Sequence, residues 1–188
     1  MGYYDDEKTV EEYIHMAEGV DGRELIDVLR KHVADGASVL ELGMGSGKDL
    51  EILSQYYRVT GSDNSTAFLE RYRKTNPQAD LVWLDAVAMD SARTFDGIYS
   101  NKVLQHLTRT ELKASLRRQA KVLNPGGVLL HSLWYGDGEE AFSGLRFVYY
   151  TEASFAQVVG DEYEMLEAAR YAETESDDSV CFVLRKRA

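Results

Sequence analysis

Residues 38–50, SVLELGMGSGKDL, constrain this chain more than any other stretch. A short apolar strand, Val39-Leu40-Glu41-Leu42, runs into Gly43-Met44-Gly45-Ser46-Gly47, and a helix is expected from about Lys48. Glycines at alternate positions let the backbone turn tightly and leave no side chain to hold a ligand away. The helix behind them offers unpaired N–H groups and a positive dipole end. An ordinary strand-to-helix turn carries one or two glycines. Three glycines, with what lies downstream, point to a binding loop.

Two phosphate-binding motifs fail on the letters. A dinucleotide fingerprint, G-x-G-x-x-G/A, needs a small residue where Lys48 stands. A P-loop, G-x-x-x-x-G-K-[ST], needs glycine where Leu42 stands and a hydroxyl where Asp49 stands. The loop is therefore read as a nucleoside-binding turn suited to neither a pyrophosphate nor a triphosphate.

Glu41-Leu42-Gly43-Met44-Gly45-Ser46-Gly47 resembles the first motif, [DE]-x-G-x-G-x-G, of the class I S-adenosylmethionine-dependent methyltransferases. The resemblance covers residues 38–134 well and the two ends loosely. It implies an α/β, three-layer Rossmann-like fold with a seven-stranded, mostly parallel sheet whose last strand is inserted antiparallel. It also implies methyl transfer from S-adenosyl-L-methionine, giving S-adenosyl-L-homocysteine, with Glu41, Gly43, Gly45 and Gly47 at the cofactor. Such a transferase needs no metal, and His15, His32, His106 and His131 are scattered rather than clustered.

The 188 residues are expected to form one methyltransferase domain, with residues 1–37 as an N-terminal helical lid and 38–188 as the core. A formal charge of −11 argues against a nucleic-acid partner. The one basic cluster, Arg185-Lys186-Arg187, reads as a solubilising tail. Cys181 lies alone in an apolar run and reads as a buried small residue. No signal peptide or membrane-length apolar run is present, so a soluble, cytoplasmic monomer or homodimer without a membrane partner is expected.

In the N-terminal arm, Val10, Tyr13, Ile14 and Ala17 follow helical spacing up to Gly19. Asp21 with Glu24 reads as a capping box for a second helix bearing Leu25, Ile26, Val28, Leu29 and Val33. As a lid, this arm would bring Tyr3, Tyr4, Tyr13, His15 and Met16 to the acceptor. Otherwise those residues pack on the sheet or face solvent.

The second strand, residues 57–62, leads to Asp63, about 20 residues beyond Gly43, the spacing at which an acidic residue reaches a ribose. A carboxylate accepts from both ribose hydroxyls. The alternative is that Asp63 caps the helix over 65–74. Asn64 would sit beside the adenine. A third strand, 80–84, with Trp83 read as core, ends at Asp85-Ala86. The resemblance gives Asp85 the adenine amino group and the next N–H a ring nitrogen; the alternative is a plain N-cap.

The fourth strand, 95–100, resembles the family's FD-x-I strand, and Ser100, Asn101, Lys102 and Val103 at its carboxyl end would face the methionine part of the cofactor. His106 is the titratable group nearest the reacting methyl. It would serve either as a base or as a structural side chain bonding a backbone carbonyl. A helix over 109–123, the Asn124-Pro125-Gly126-Gly127 turn and a fifth strand over 128–134 follow, with His131 read as core or wall. Trp134 and Tyr135 are candidates for an aromatic acceptor wall. Residues 136–150 read as a polar, then aromatic connection. Arg146 in it would hold an acceptor carboxylate or pair with Glu139 or Glu140. A helix over 151–159 and a closing hairpin, 163–171 with 179–185, complete the chain.

The function expected is S-adenosylmethionine-dependent methyl transfer to a small-molecule acceptor. A non-catalytic module binding S-adenosylmethionine or S-adenosylhomocysteine, or an NAD-dependent oxidoreductase, would share the glycine loop. The lack of a G-x-S-x-G elbow disfavours a serine hydrolase.

Overall fold

A computed structural model describes residues 7–16 and 19–187, with the backbone alone at 7, 8, 13 and 16. The lid candidates Tyr3 and Tyr4, and the side chains of Tyr13 and Met16, lie outside the described residues. The helices are α1 (Glu7–Met16), α2 (Arg23–Arg30), α3 (Lys48–Leu53), α4 (Thr66–Thr75), α5 (Arg109–Val122) and α6 (Glu152–Ala156). The strands are β1 (Ser38–Leu42), β2 (Arg58–Asp63), β3 (Leu81–Trp83), β4 (Phe95–Asn101), β5 (Leu123–Trp134), β6 (Glu139–Phe142), β7 (Leu145–Val148), β8 (Tyr163–Tyr171) and β9 (Ser179–Lys186).

Seven strands form one sheet in the order β3-β2-β1-β4-β5-β9-β8. β3, β2, β1, β4 and β5 are parallel, and β9 runs against both of its neighbours. This is the inserted antiparallel strand expected from the sequence. Both faces of the sheet's centre are covered, which is why β1 is buried nearly throughout and β5 from Val128 to Leu133. Leu40, Leu42, Leu129 and Leu133 pack with Leu112 and Leu116 of α5 on one face. Val39, Val128 and Leu130 pack with Leu25, Ile26 and Leu29 of α2 on the other. The strand order reverses between β1 and β4, so ligands are received at the carboxyl ends of these strands.

Local structure departs from the sequence reading in four places. Gly22, not Asp21, occupies the N-cap of α2, and Asp21 Oδ1 instead accepts from Arg23 N at 3.0 Å. The displacement follows from Gly22 N, which donates to buried Asp49 at 2.7 Å. Strand β5 begins at Leu123, opposite Phe95, and a register shift between Phe95 and Gly97 absorbs the proline-glycine turn. Residues 136–150 contain a hairpin, β6 with β7, turned by Ser143 and Gly144, both at positive φ. Its signal was the Ser-Gly pair between two short runs. The basic terminus is no loose tail: Lys186 Nζ donates to Leu123 O at 2.6 Å and Arg187 Nε to Tyr163 O at 3.0 Å.

Cys181 is buried, as expected. Among the described residues, no helix is long and apolar enough to cross a membrane. The carboxyl-terminal hairpin is pinned by Phe155, whose ring stacks on Phe182 with centroids 3.8 Å apart. Both rings are fully buried. Phe182→Ala is expected to lower unfolding free energy by about 3–5 kcal/mol, read by urea denaturation.

Candidate functional site

The glycine loop closes on the end of β2. Gly43 N and Met44 N both donate to Ser62 O at 2.8 Å. Gly43 has φ +74°, and a Cβ there would lie 2.5 Å from Val103. Gly47, at φ +85°, is the N-cap of α3, and a Cβ there would meet the Tyr72 ring at 2.3 Å. Side chains are thus excluded at both positions by backbone conformation and by space. Asp63 finishes the closure: Oδ2 accepts from Gly45 N at 3.0 Å and Oδ1 from Ser65 N at 2.9 Å. The cap of α4 is Ser65, whose hydroxyl accepts from Phe68 N at 3.3 Å, so Asp63 is not that cap.

A cavity of about 440 Å³ opens at these strand ends. That is the size of an ordinary small-ligand pocket. Its wall brings together Gly43, Gly45, Asp63, Asn64, Asp85, Ala86, Asn101 and His106, all singled out in the sequence. Asp85 Oδ1 accepts from Val87 N at 2.7 Å and Ala88 N at 2.8 Å, so it does cap its own turn while still lining the cavity. Three expected cofactor residues lie off the wall. Gly47 is behind the loop under Tyr72, and Glu41 is buried beneath it. Ser100 is turned inward, its hydroxyl 2.8 Å from His131 Nδ1.

Trp83 corrects the sequence reading in the other direction. It is 58% exposed, because β3 is the sheet edge, and its indole N–H donates to Asn64 O at 2.8 Å on the cavity wall. Phe68, Lys102 and Leu145 also line the cavity. The acceptor-wall candidates do not. Trp134 lies under the Lys102 ammonium at 3.4 Å, and Tyr135 under the Arg170 guanidinium at 3.8 Å. Arg146 takes the surface alternative, pairing with Glu139 at 3.4 Å.

Lys102 belongs to the 100–103 segment expected to face the methionine part of the cofactor, and it lines the cavity. It sits at φ +56°, a conformation that costs a non-glycine residue energy, just after β4. Its ammonium donates to Ser179 Oγ at 2.6 Å and pairs with Glu173 at 3.0 Å. Burial lowers its pKa to about 8 against the opposing pull of Glu173.

Three carboxyls cluster at and beneath the loop, and of these only Asp63 lines the cavity. Asp49 accepts from Gly22 N, from Tyr99 OH at 2.7 Å and from Asn101 Nδ2 at 3.1 Å, joining the N-terminal segment to β4. The sequence had used Asp49 only to exclude a P-loop. Burial raises the pKa of Asp63, opposed by its backbone N–H bonds. Glu41 is fully buried, with Oε2 unpartnered among the described residues. Burial, then the charges of Asp49 and Asp63, push its pKa well above the ordinary value.

Half-buried His106 and fully buried His131 differ. His106 Nδ1 lies 2.8 Å from Arg146 O, and a carbonyl only accepts, so Nδ1 carries the proton and Nε2 keeps the lone pair. Phe147 packs edge-on at 4.8 Å, and burial holds the His106 pKa below its ordinary value. His131 is sealed in the core between Ser100 and Gln119, which is the core half of the core-or-wall reading, with burial lowering its pKa to about 3.

Glu41 gives a pH test. A carboxyl with a raised folded pKa favours folding while protonated, and the protein loses stability as pH climbs from the unfolded value toward the folded one. Across pH 5 to 8, the melting temperature of ligand-free Glu41→Gln is therefore expected to rise progressively relative to the parent. A flat difference would show that its charge is not what burial penalises.

Comparison with known proteins agrees with this geometry. Residues 39–127 match the family model described as methyltransferase domain. A trans-aconitate 2-methyltransferase of Variovorax paradoxus is 32% identical over 136 residues, 70% of this chain and 51% of that protein. One of Paracidovorax citrulli is 31% identical over 70% of this chain and 52% of its own length. The chain thus spans about half the length of the curated relatives it matches. The N-methyltransferase NodS of Bradyrhizobium japonicum, solved with S-adenosyl-L-homocysteine, superposes with TM-score 0.72 at 19% identity, covering 98% of this chain and 100% of that one. CalS10 of Micromonospora echinaspora, an amino pentose methyltransferase solved with SAM, gives TM-score 0.76 at 18% identity over 94% and 96% of the two chains. At such identities the structures speak for the fold, while the sequence match speaks for descent. Over residues 39–127 the chain carries a methyltransferase domain, and its fold is the one seen in S-adenosylmethionine-dependent methyltransferases.

Proposed function

We propose that this protein transfers a methyl group from S-adenosyl-L-methionine to a small-molecule acceptor, as a single domain whose N-terminal helices cover the acceptor. The observation that carries the reading is the convergence of the glycine loop, Asp63 and Asp85 on one cavity at the switch point of a parallel sheet. Gly43 and Gly45 let the ligand approach the backbone. Asp63 accepts from the ribose hydroxyls, Asn64 lies beside the adenine, Asp85 accepts from the adenine amine, and the Ala86 N–H meets a ring nitrogen. Asn101 flanks the methionine portion. The carboxyls Glu41, Asp49 and Asp63 suit a ligand with a cationic end, which would ease the crowding that raises Glu41.

When bound, the cofactor supplies an electrophilic methyl on sulfonium sulfur. The chain's share is alignment, which is worth about 7–11 kcal/mol in well-oriented reactions. His106, neutral and with Nδ1–H tied to Arg146 O, offers Nε2 to take a proton from an acceptor hydroxyl or amine. Phe68, Trp83, Val103, Leu107 and Leu145 favour a partly apolar acceptor. The curated relatives are named for trans-aconitate, one fold neighbour for nitrogen methylation and another for an amino pentose. In this chain, Lys102 is paired with Glu173 and Arg146 with Glu139, which favours a neutral or amine acceptor over a polycarboxylate. A single cysteine suits a reducing compartment, and we place the protein in the cytoplasm.

The His106 bond to a carbonyl also fits a structural histidine, which keeps a non-catalytic cofactor-binding module as the second reading. Calorimetry with S-adenosylmethionine, S-adenosylhomocysteine and NAD side by side tests the cofactor. Binding of the sulfur nucleosides alone is expected; binding of NAD alone overturns the reading. Asp63→Ala is expected to weaken S-adenosylhomocysteine binding by about 1–3 kcal/mol. His106→Ala is expected to keep that affinity and to lower turnover with the true acceptor by about 10²–10⁴-fold, whereas normal turnover assigns it to structure.

A further inference from the structure

Behind the cavity wall runs a buried chain of hydrogen bonds with one direction. Ser115 Oγ lies 2.5 Å from the Ala86 carbonyl, which only accepts, so the hydroxyl donates. Its oxygen then accepts from Gln119 Nε2 at 3.0 Å. This sets the Gln119 amide so that Oε1 faces His131 Nε2 at 2.8 Å, and that nitrogen must carry the ring proton. His131 Nδ1 in turn accepts from Ser100 Oγ at 2.8 Å. Ser100, Ser115, Gln119 and His131 are all 0% exposed. A buried polar chain is tolerated when every member is satisfied, and it then holds one arrangement.

The chain ends on a peptide unit gripped from both sides. The carbonyl of Ala86 is held by Ser115, and the N–H of Val87 in the same peptide by Asp85 Oδ1 at 2.7 Å. No regular element fixes this turn, which follows a three-residue edge strand. Asp85 and Ala86 nevertheless line the cavity, and on the proposed function they meet the base edge. We infer that Ser115, Gln119 and His131 are positioning residues for base recognition: they orient the peptide between Ala86 and Val87, so that the site distinguishes adenine from a ring lacking the exocyclic amine. None of the three lines the cavity. The inference rests on the cavity being the S-adenosylmethionine site.

The test is calorimetric affinity for S-adenosylhomocysteine and for S-inosylhomocysteine, which carries oxygen in place of that amine. The parent is expected to prefer the adenosyl ligand. Ser115→Ala is expected to weaken the adenosyl ligand about tenfold and the inosyl ligand by less than about twofold, because a buried hydrogen bond that acts only through orientation is lost. Ser115→Thr, which keeps the hydroxyl, is expected to restore the preference, and Gln119→Leu to reduce it. Equal weakening of both ligands, as general loosening of the core would give, overturns the inference, as does an unchanged ratio in Ser115→Ala. A parent protein that binds neither ligand overturns the cofactor reading itself and this inference with it.

Discussion

The glycine loop keeps its shape through one carboxylate: Asp63 accepts the Gly45 N–H at 3.0 Å and the Ser65 N–H at 2.9 Å. The loop leaving β1 and the turn leaving β2 thus share a side chain. Parallel pairing brings them together, with Leu42 beside Ser62 and Asp63 beside Trp83. The same residue that shapes the loop also faces the cavity, so loop geometry and ligand binding are tied to one group. Burial disfavours its charge, and the backbone N–H groups offset that cost.

Negative charge is concentrated around this joint. Asp49 is satisfied by Gly22, Tyr99 and Asn101, whereas Glu41 keeps an oxygen unpartnered among the described residues. Burial first, and then the charges of Asp49 and Asp63, raise the pKa of Glu41. A structure optimised for stability alone would not carry such a cluster. On the proposed reading the cost is met when a ligand with a positive end arrives, which makes the strain part of recognition.

Environment, not residue type, separates the two histidines. His131 is enclosed between two side-chain partners and is fixed as a neutral link in a polar chain. His106 spends one nitrogen on the β7 backbone and faces the cavity with the rest of its ring. The hairpin of β6 and β7, which the sequence reading passed over as a connection, is what supplies the Arg146 carbonyl that fixes its tautomer.

The sequence by itself determined the elements and their local chemistry. The apolar run of β1, the alternate glycines, Asp63 at its spacing, the strand after the Pro-Gly turn and the closing hairpin are properties of neighbouring residues, and the fold expected from them is the fold observed. The sequence also brought out most of the cavity wall, because Gly43, Gly45, Asp63, Asp85 and Asn101 follow directly from strand ends. Only the tertiary structure decided which side chains face the cavity. Adjacent strand residues point to opposite faces, so Asn101 lines the wall while Ser100 turns to His131. Trp83 lies open because β3 is an edge, a fact of sheet order rather than of residue type. Lys102 meets Ser179 across 77 residues and His106 meets Arg146 across 40, and no local pattern encodes such pairings. They arise when the strands take their places, because a buried donor or acceptor must then find its partner among whatever the fold has set beside it.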